Sequence, residues 1–505
     1  MDTMTKIMKP ILRNLTPELL SPLWEPVRAY IRLRFNTTIS LTACAIYIFL
    51  TQSIGAISIF AASLTLVTVF KVPLFWCSLL IGLSGTLYTA LGGLRGVVWT
   101  DCMQFLFILI APVTIIANII IDSLRANSAV QPLSDLNLGA YIAELDLTND
   151  ENFWSCFFGT TAAAIYRLCL DQMVAQRLLA SRTLQEARRT AFTSTILLFL
   201  LYTAGFFMGV ALTIWFRGCD PTLLGEIQSM DQILPYYINT YLVHIPGFVG
   251  LFLAGVVSAA TSTISSMVNS QATILYVDVI SPRYKNADQH VLWITRGTAL
   301  LFGATMTIYS TLCVYMGSVT RIFMMVNTGL TAPFVGLCLL AVLFPFVHSK
   351  GAGVATLITV VYQLCHTANI IRTGRRPLQM PVSLDYCPVN RSATASVLNS
   401  TSFSPSMPPQ DTFVLFRISY LWSSVLAILA TVTIGILLSA VTGEMSKTEQ
   451  PGLSSDLITR MWRKPQQASI GQTQENLNTK KLQEAKHKNQ DEVENLLADI
   501  EETVV

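Results

Sequence analysis

Long stretches without charged residues alternate with short polar segments through the middle of the chain. A helix needs about 20 apolar residues to cross the hydrocarbon of a bilayer, and charge-free stretches of that order recur between Ser40 and Gly443. This pattern predicts an all-α integral membrane protein with about ten transmembrane helices. The predicted spans are 40–69, 73–93, 98–121, 153–172, 190–216, 247–280, 291–317, 321–346, 351–371 and 413–442. The fourth span is the weakest, because Arg167 and Asp171 interrupt it.

The charge-free stretch that contains the sixth span is too long for a single crossing. It starts at Gln232 and includes Pro235 and Pro246, and proline is poorly tolerated inside a helix. We therefore expect the sixth span to begin near Gly247. The segment 232–245, which is rich in tyrosine, is expected to lie along the membrane interface, where tyrosine is enriched.

The composition supports a membrane protein. Only 12% of the 505 residues are charged and 52% are apolar, whereas soluble proteins carry about 25% charged residues. After Gly443 the chain becomes polar and charged throughout, as disordered segments are. The chain therefore divides into an N-terminal segment at 1–38, a transmembrane domain at 39–443 and a largely disordered tail at 444–505.

The distribution of arginine predicts how the spans are oriented. The loop after the fourth span is rich in arginine, with Arg177, Arg182, Arg188 and Arg189, while the loop before that span is acidic. Short loops with many basic residues remain in the cytoplasm. We therefore expect a multi-pass protein of the plasma membrane with both termini in the cytoplasm.

Two further loops are then expected outside the cell. The loop 372–412 carries glycosylation sequons at Asn390 and Asn399, which fit an outside location, although its arginines fit the charge rule less well. Cys219 and Cys387 also lie in outside loops. A disulfide between them is one reading and two free thiols the other, and the sequence leaves both open.

The sixth predicted span contains an unusual polar stretch. Between Ser258 and Ser270 there are seven hydroxyl residues and the amide of Asn269. Ser262 and Ser266 share one helix face, and their hydroxyls could supply oxygen ligands to a hard cation such as Na⁺. The alternative is that small hydroxyl residues allow helices to approach closely and bond their own backbone carbonyls. Composition alone favours this packing role.

Ionisable residues within the spans are the other candidates. Asp101 begins the third span, and a charge at membrane depth indicates function unless it lies at the headgroup boundary. Arg167 and Asp171 lie four residues apart on the fourth span. They can neutralise each other on one helix face, so a paired structural role is favoured over contact with a substrate.

The sequence lacks the motifs of several other classes of protein. It contains no phosphate-binding loop of an ATP-driven pump and no selectivity filter of a potassium channel. Its histidines and cysteines show no metal-ligand spacing, and no nucleophile lies next to a base. We therefore expect neither an enzyme nor a partner of nucleic acid.

Four segments of the chain form a distinctive set. They are Gly92–Asp101 with Gln104, Gln172–Arg177 with the following Ser181-Arg-Thr, Gly218-Cys-Asp-Pro221 with Asp231-Gln-Ile-Leu-Pro-Tyr236, and Ser262-Thr-Ile-Ser-Ser-Met-Val-Asn269. In motif and in order they resemble the sodium:solute symporter family, in its animal branch of monocarboxylate, multivitamin and iodide carriers. The likeness extends from about residue 20 to residue 443.

This resemblance implies a LeuT-like fold of two inverted five-helix repeats, with an ion site near the bilayer midplane. It also changes the interpretation of the hydroxyl stretch, which becomes a candidate Na⁺ site. The positions that match the family's ligands are Ser262 and Thr263 through their side chains, Ala259 through its carbonyl, Ser265 and Ser266 as auxiliary ligands, and Asp101 on the Na⁺ exit path. Na⁺ would be the coupling ion, with no other cofactor. The substrate would be a small organic anion such as a monocarboxylate or a vitamin acid.

Two departures from the family bear on this expectation. Relatives begin with three further helices before the Leu33-Arg-Phe-Asn36 segment, so the chain resembles a thirteen-helix carrier without its first three, and little Na⁺-driven flux is expected from it. Arg167 and Asp171 also stand where relatives commonly have glycine and asparagine. The alternative function is a truncated, non-transporting homologue that associates with full-length carriers. The C-terminal Thr503–Val505 suits the peptide groove of a PDZ domain.

Overall fold

The computed structural model describes residues 27–125, 145–150, 152–179, 183–284, 289–315, 317–373, 382–384 and 413–442, with the isolated residues Gly139, Ser181 and Cys387. The described regular structure is helical. Its α-helices are α1 Val27–Arg34, α2 Thr37–Phe70, α3 Leu74–Arg125, α4 Phe153–Ile165, α5 Gln172–Leu179, α6 Leu184–Phe216, α7 Ile233–Tyr241, α8 Phe248–Ile274, α9 Val291–Leu312, α10 Val319–Leu343, α11 Ser349–Thr373, α12 Val414–Arg417 and α13 Tyr420–Val441. Within these described ranges, nine helices are long and apolar enough to cross a membrane, which confirms the predicted class.

Helix α3 differs from the prediction of separate spans at 73–93 and 98–121. It continues unbroken for 52 residues, a length of roughly 78 Å at about 1.5 Å per residue. Its first part, Leu74–Gly92, is a membrane-length apolar segment, and its second part contains the shorter apolar segment Pro112–Ile121. The residues between the two predicted spans include glycine but no proline, so they can continue the helical hydrogen bonding.

The segment before helix α8 confirms the predicted helix start. Helix α7 ends at Tyr241, and Gly247 has a φ of +81° immediately before α8 begins at Phe248. A positive φ costs glycine little because it lacks a Cβ atom.

Just before α7, the Asp231 carboxylate accepts hydrogen bonds from the Val319 backbone at 2.9 Å and the Thr320 hydroxyl at 3.1 Å. This loop therefore caps the N-terminus of α10.

The fourth predicted span is broken near its end. Helix α4 continues as a π-helical turn over Tyr166–Leu170, and the backbone is then extended at Asp171 before α5 begins. The Arg167 guanidinium donates to the Asp171 carboxylate at 2.8 Å, which confirms the predicted pairing. Asp171 is buried and its second oxygen accepts the Met173 backbone N–H at 3.0 Å, so it also starts α5.

Helices α8 and α10 form the centre of the molecule. Helix α8 packs against α2, α3 and α9, and α10 packs against α2, α4, α11 and α13. In α10, 78% of the residues in its apolar, membrane-length segment are buried, whereas in α6 only 6% are. The close approach of α10 to α13 depends on Gly336, where an added Cβ would lie 2.7 Å from the Thr431 Cβ. The packing of α8 on α3 places the hydroxyl stretch of α8 in the interior, against α3.

Arg34 binds the segment that follows helix α10, from a distant part of the sequence. Its side chain is buried, and one terminal nitrogen donates to the carbonyls of Pro345 at 2.5 Å, Val347 at 3.3 Å and Phe344 at 3.4 Å. These carbonyls belong to the residues that follow α10, and buried backbone carbonyls need hydrogen-bond partners, which the cation supplies. Burial lowers the pKa of the Arg34 guanidinium from its ordinary value.

The two cysteines of the loops that are predicted to lie outside are joined. Cys219 and Cys387 form a disulfide with their Cα atoms 4.9 Å apart. Beside it, the Ser383 N–H donates to the Arg217 carbonyl at 3.0 Å, and the Asp220 N–H donates to the Ser383 carbonyl at 3.3 Å. The structure thus decides in favour of the disulfide. The sequons, the predicted disordered tail and Thr503–Val505 lie outside the described residues.

Candidate functional site

The hydroxyl stretch of α8 lies on a regular helix, so its spacing determines which side chains meet a neighbour. Ser262 and Ser266 are four residues apart and share a face. Thr261 and Ser265 are buried more deeply than these two. The neighbours of α8 here are α3 and α5, which approach it from different parts of the chain.

Helix α3 brings Asp101 to this face of α8. The Ser262 hydroxyl donates to Asp101 Oδ1 at 2.5 Å across 161 residues of sequence. The Asp101 side chain is only 19% exposed, and a carboxylate at this depth is costly without partners. The contact bonds Asp101 directly to the hydroxyl stretch.

Helix α5 brings a positive charge to the same carboxylate. Arg177 Nη2 donates to Asp101 Oδ2 at 2.8 Å and to the Ser266 hydroxyl oxygen at 2.9 Å. The Arg177 side chain is 48% exposed. Three helices therefore meet at one cluster of polar atoms, formed by Asp101, Arg177, Ser262 and Ser266, which we call the carboxylate cluster.

The other predicted ligands bond within α8. The Thr263 hydroxyl donates to the Ala259 carbonyl at 2.9 Å, and the Ser265 hydroxyl donates to the Ser262 carbonyl at 2.9 Å. Both are backbone bonds of the kind expected when hydroxyl residues only assist packing. Of the predicted site residues, the structure brings Asp101 and Ser262 into direct contact and links Ser266 to Asp101 through Arg177. Ala259, Thr263 and Ser265 lie one turn away or less on α8.

Several residues near the stretch were not singled out as site residues from the sequence. The Gln104 amide donates to the Thr261 hydroxyl oxygen at 3.1 Å, and the Tyr88 hydroxyl donates to the Thr261 carbonyl at 2.7 Å. Gln104 was detectable, since it follows Asp101 by three residues and shares its helix face. Arg177 was quoted only as part of a motif, and its contact with Asp101 has no local signal.

The chemistry of this region suits a hard monovalent cation. It offers one carboxylate, several hydroxyls and backbone carbonyls, all of which are oxygen ligands. Among the residues that the structure describes, no group of three or more His, Cys, Asp or Glu side chains lies close enough to hold a metal ion. The arrangement also supplies the charge balance of a carboxylate with a guanidinium, which keeps Asp101 from being an isolated buried charge.

Comparison with known proteins gives a consistent picture. The family described as "Sodium:solute symporter family" matches residues 27–359. Sodium-coupled monocarboxylate transporter 2 of Homo sapiens is 28% identical over 442 residues, covering 85% of this chain and 70% of the transporter. The sodium/iodide cotransporter of Homo sapiens is 28% identical over 447 residues, covering 84% of this chain and 69% of the cotransporter.

A solved structure shares the fold. A Na⁺-coupled sialic acid symporter, in a substrate-bound outward-open state, superposes with a TM-score of 0.62 at 18% identity. The match covers 87% of this chain and 82% of the symporter. The likeness confirms the predicted LeuT-like transporter fold.

Proposed function

Since the chain belongs to the sodium:solute symporter family, we propose that its substrate is a small organic anion. The chain is a multi-pass membrane protein, and its family and relatives support sodium-coupled symport. The observation that carries the assignment of a Na⁺ site is the contact between Asp101 and the hydroxyl face of α8, at 2.5 Å from Ser262. It combines a carboxylate with hydroxyl oxygens at the place where the family resemblance puts the ion.

The proposed Na⁺ ligands are the side chains of Ser262 and Thr263 and the carbonyl of Ala259. The Thr263 hydroxyl and the Ala259 carbonyl oxygen lie 2.9 Å apart, close enough for both to bind one ion. Their present bond is local, and Na⁺ would replace it. Ser265 and Ser266 are proposed as auxiliary ligands.

Asp101 is proposed to line the path by which Na⁺ leaves to the cytoplasm. Its bond to Ser262 makes it the next oxygen ligand after the proposed site. A carboxylate there attracts a cation that has lost part of its hydration, and its partial exposure gives the ion access to water. The release path would therefore run along the side of α8 that faces α3.

The substrate class follows from the relatives. Sodium-coupled monocarboxylate transporters 1 and 2 and the sodium/iodide cotransporter all carry anions by name, and we propose a monocarboxylate or a vitamin acid here. The test is uptake of labelled lactate, nicotinate and iodide by cells that produce the chain, in Na⁺ medium and in choline medium. The proposed function predicts Na⁺-dependent uptake of at least one carboxylate, whereas little flux in either medium would favour a non-transporting homologue.

A second measurement distinguishes this function from the alternative of a non-transporting partner of full-length carriers. Na⁺ binding to the purified chain can be followed as a rise in its unfolding temperature, because a ligand of the folded state stabilises it. Binding without uptake would favour the partner function. Uptake that is equal in Na⁺ and choline would contradict the proposal.

The disulfide supports the proposed orientation. Disulfides persist outside the cell and are rare in the cytoplasm, so the pair Cys219 and Cys387 indicates that both loops lie outside. Arg188 and Arg189 lie near the N-terminal end of α6, and this arginine-rich end would face the cytoplasm. We propose the plasma membrane as the location, with both termini inside.

A further inference from the structure

One nitrogen of Arg177 connects two helices of the proposed site. Its Nη2 atom donates both to Asp101 Oδ2 on α3, at 2.8 Å, and to the Ser266 hydroxyl oxygen on α8, at 2.9 Å. The other oxygen of Asp101 accepts the Ser262 hydroxyl at 2.5 Å. A positive nitrogen carried by α5 thus lies among oxygen atoms of α3 and α8, where a bound cation would also lie.

These oxygens are the ones that Na⁺ would meet on leaving the site. The positive charge of Arg177, a few ångströms away, would repel a second cation bound among them. Even in bulk water, a unit charge about 4 Å away changes the binding constant of an ion by about fivefold, and the effect grows as the surroundings become drier. Arg177 and Na⁺ therefore compete for the same carboxylate.

We propose that Arg177 is a tethered cation, whose guanidinium and a Na⁺ ion occupy the oxygens of Asp101 and Ser266 in turn. The inference rests on the proposed Na⁺ site and adds a residue that determines when the ion is released. Arg177 is a positioning residue in this scheme, because it touches the ligands of the ion rather than the ion itself.

The backbone around Arg177 suits such an exchange. Helix α5 begins directly after Asp171, where the chain is extended, so α5 can shift without breaking the hydrogen bonds of α4. When Na⁺ leaves, Arg177 neutralises Asp101 and docks α5 on α3 and α8. A carboxylate that lost its cation without this replacement would stay as an uncompensated, partly buried charge.

The test is a Na⁺ titration of the purified full-length chain in lipid nanodiscs, with choline added to hold the ionic strength constant. The unfolding temperature reports binding. We expect Arg177→Gln to lower the Na⁺ concentration at the midpoint by about fivefold, because the competing charge is gone. Arg177→Lys keeps the charge and should stay closer to the unaltered chain.

The matched control is Arg188→Gln, which removes an exposed arginine from the beginning of α6 and should leave the midpoint unchanged. An equal or higher midpoint in Arg177→Gln, with Na⁺ binding retained, overturns the competition and leaves the proposed function standing. If neither the unaltered chain nor Arg177→Gln responds to Na⁺, the proposed Na⁺ site and the competition both fail.

A second readout tests the contact without Na⁺. Ser266→Cys, made in a background without other free cysteines, should react slowly with a water-soluble thiol reagent while Arg177 covers it. Adding Arg177→Gln should accelerate the reaction several-fold, and Arg188→Gln should not. Equal rates in all three chains would show that Arg177 does not occupy Ser266, and would overturn the proposal.

Discussion

At the scale of single residues, Arg34 shows how a buried charge can bind a segment that is far away in the sequence. The sequence places it in the N-terminal segment, among other basic residues, with no sign of a special role. The structure buries it against the backbone carbonyls that follow α10, more than 300 residues away. Its neighbour Arg32 on the same helix is exposed, so the two arginines have opposite environments.

This difference gives a stability prediction. Arg34→Met should lower the free energy of unfolding by about 2 kcal/mol or more, because the carbonyls that follow α10 lose a charged donor. Arg32→Met should change it by less than about 0.5 kcal/mol, as exposed substitutions usually do. Denaturation of both variants in detergent measures the difference, and equal stability would show that the contacts of Arg34 with these carbonyls do not stabilise the fold.

Ser262 is the residue on which the proposed Na⁺ site depends most. Ser262→Ala removes a ligand oxygen and the hydrogen bond to Asp101, and a hydrogen bond to a charged group contributes about 1.5 kcal/mol or more. We expect the Na⁺ concentration for half-maximal binding or uptake to rise about tenfold. Thr263→Ala should act in the same direction.

The control for these variants is Thr273→Ala. Thr273 lies on the same helix and its hydroxyl bonds only the Asn269 carbonyl, at 2.8 Å, among the contacts described. It should leave the Na⁺ dependence unaltered. If Ser262→Ala and Thr263→Ala both keep the original Na⁺ dependence, neither residue is a ligand.

At the scale of helices, close packing depends on small residues at particular positions. Gly329 and Gly336 lie two turns apart on α10 and look equivalent in the sequence. An added Cβ at Gly329 would meet its first neighbour, the Thr367 hydroxyl, at 3.6 Å, whereas at Gly336 it would clash with Thr431 at 2.7 Å. Only the second position sets the distance between α10 and α13.

We therefore predict opposite effects for two identical substitutions. Gly336→Ala should destabilise the protein by about 1–3 kcal/mol, as overpacking of a filled core does. Gly329→Ala should be neutral or stabilise the protein by up to about 1 kcal/mol, because alanine has the higher helix propensity. Thermal unfolding of the two variants decides the matter, and similar losses in both would show that helix spacing is not set at Gly336.

At the scale of the whole molecule, the orientation connects the disulfide with the charge distribution. Cys219 and Cys387 are 168 residues apart and still pair, so the loops that carry them lie on one side of the helical bundle. Oxidising conditions favour such a bond outside the cell. The arginine-rich loop before α6 would then face the cytoplasm, and the six membrane-length helices from α6 to α13 would return the C-terminus there.

Glycosylation tests this orientation. If the loop 372–412 is outside, the chain from animal cells should carry a glycan at Asn390 or Asn399, and enzymatic removal of N-glycans should increase its mobility on a gel. The double variant Asn390→Gln, Asn399→Gln should abolish that shift. Access of an antibody to a tag at the C-terminus only after the cells are permeabilised would complete the test, and access in intact cells would reverse the orientation.

The helix pattern was largely predictable, because each span is encoded by its own uninterrupted apolar run. The start of α8 was also predicted, from Gly247. The charged pair Arg167 and Asp171 indicated only that the fourth span was weak, and the break at Asp171 was not predicted. The continuity of α3 was not. Whether a glycine-containing segment turns or stays helical depends on what packs around it, which local sequence does not record.

The candidate site was predictable in part for a similar reason. Helical spacing places Ser262 and Ser266 on one face, and the family resemblance indicates Na⁺ there. The contact of Asp101 with Arg177 spans 76 residues, and that of Arg177 with Ser266 spans 89. No periodicity within one helix encodes such pairs, so Arg177 could be quoted from a motif but not placed in the site.

The sequence by itself determined that this chain is a helical membrane protein of a sodium-coupled transporter family. Those properties depend on local hydropathy and on motifs contained within single segments. Only the tertiary structure decided that Cys219 and Cys387 are joined and that Asp101 lies between Ser262 and Arg177. The physical reason is that a buried charge and a disulfide each need a partner, and the partner is selected by how distant helices pack together.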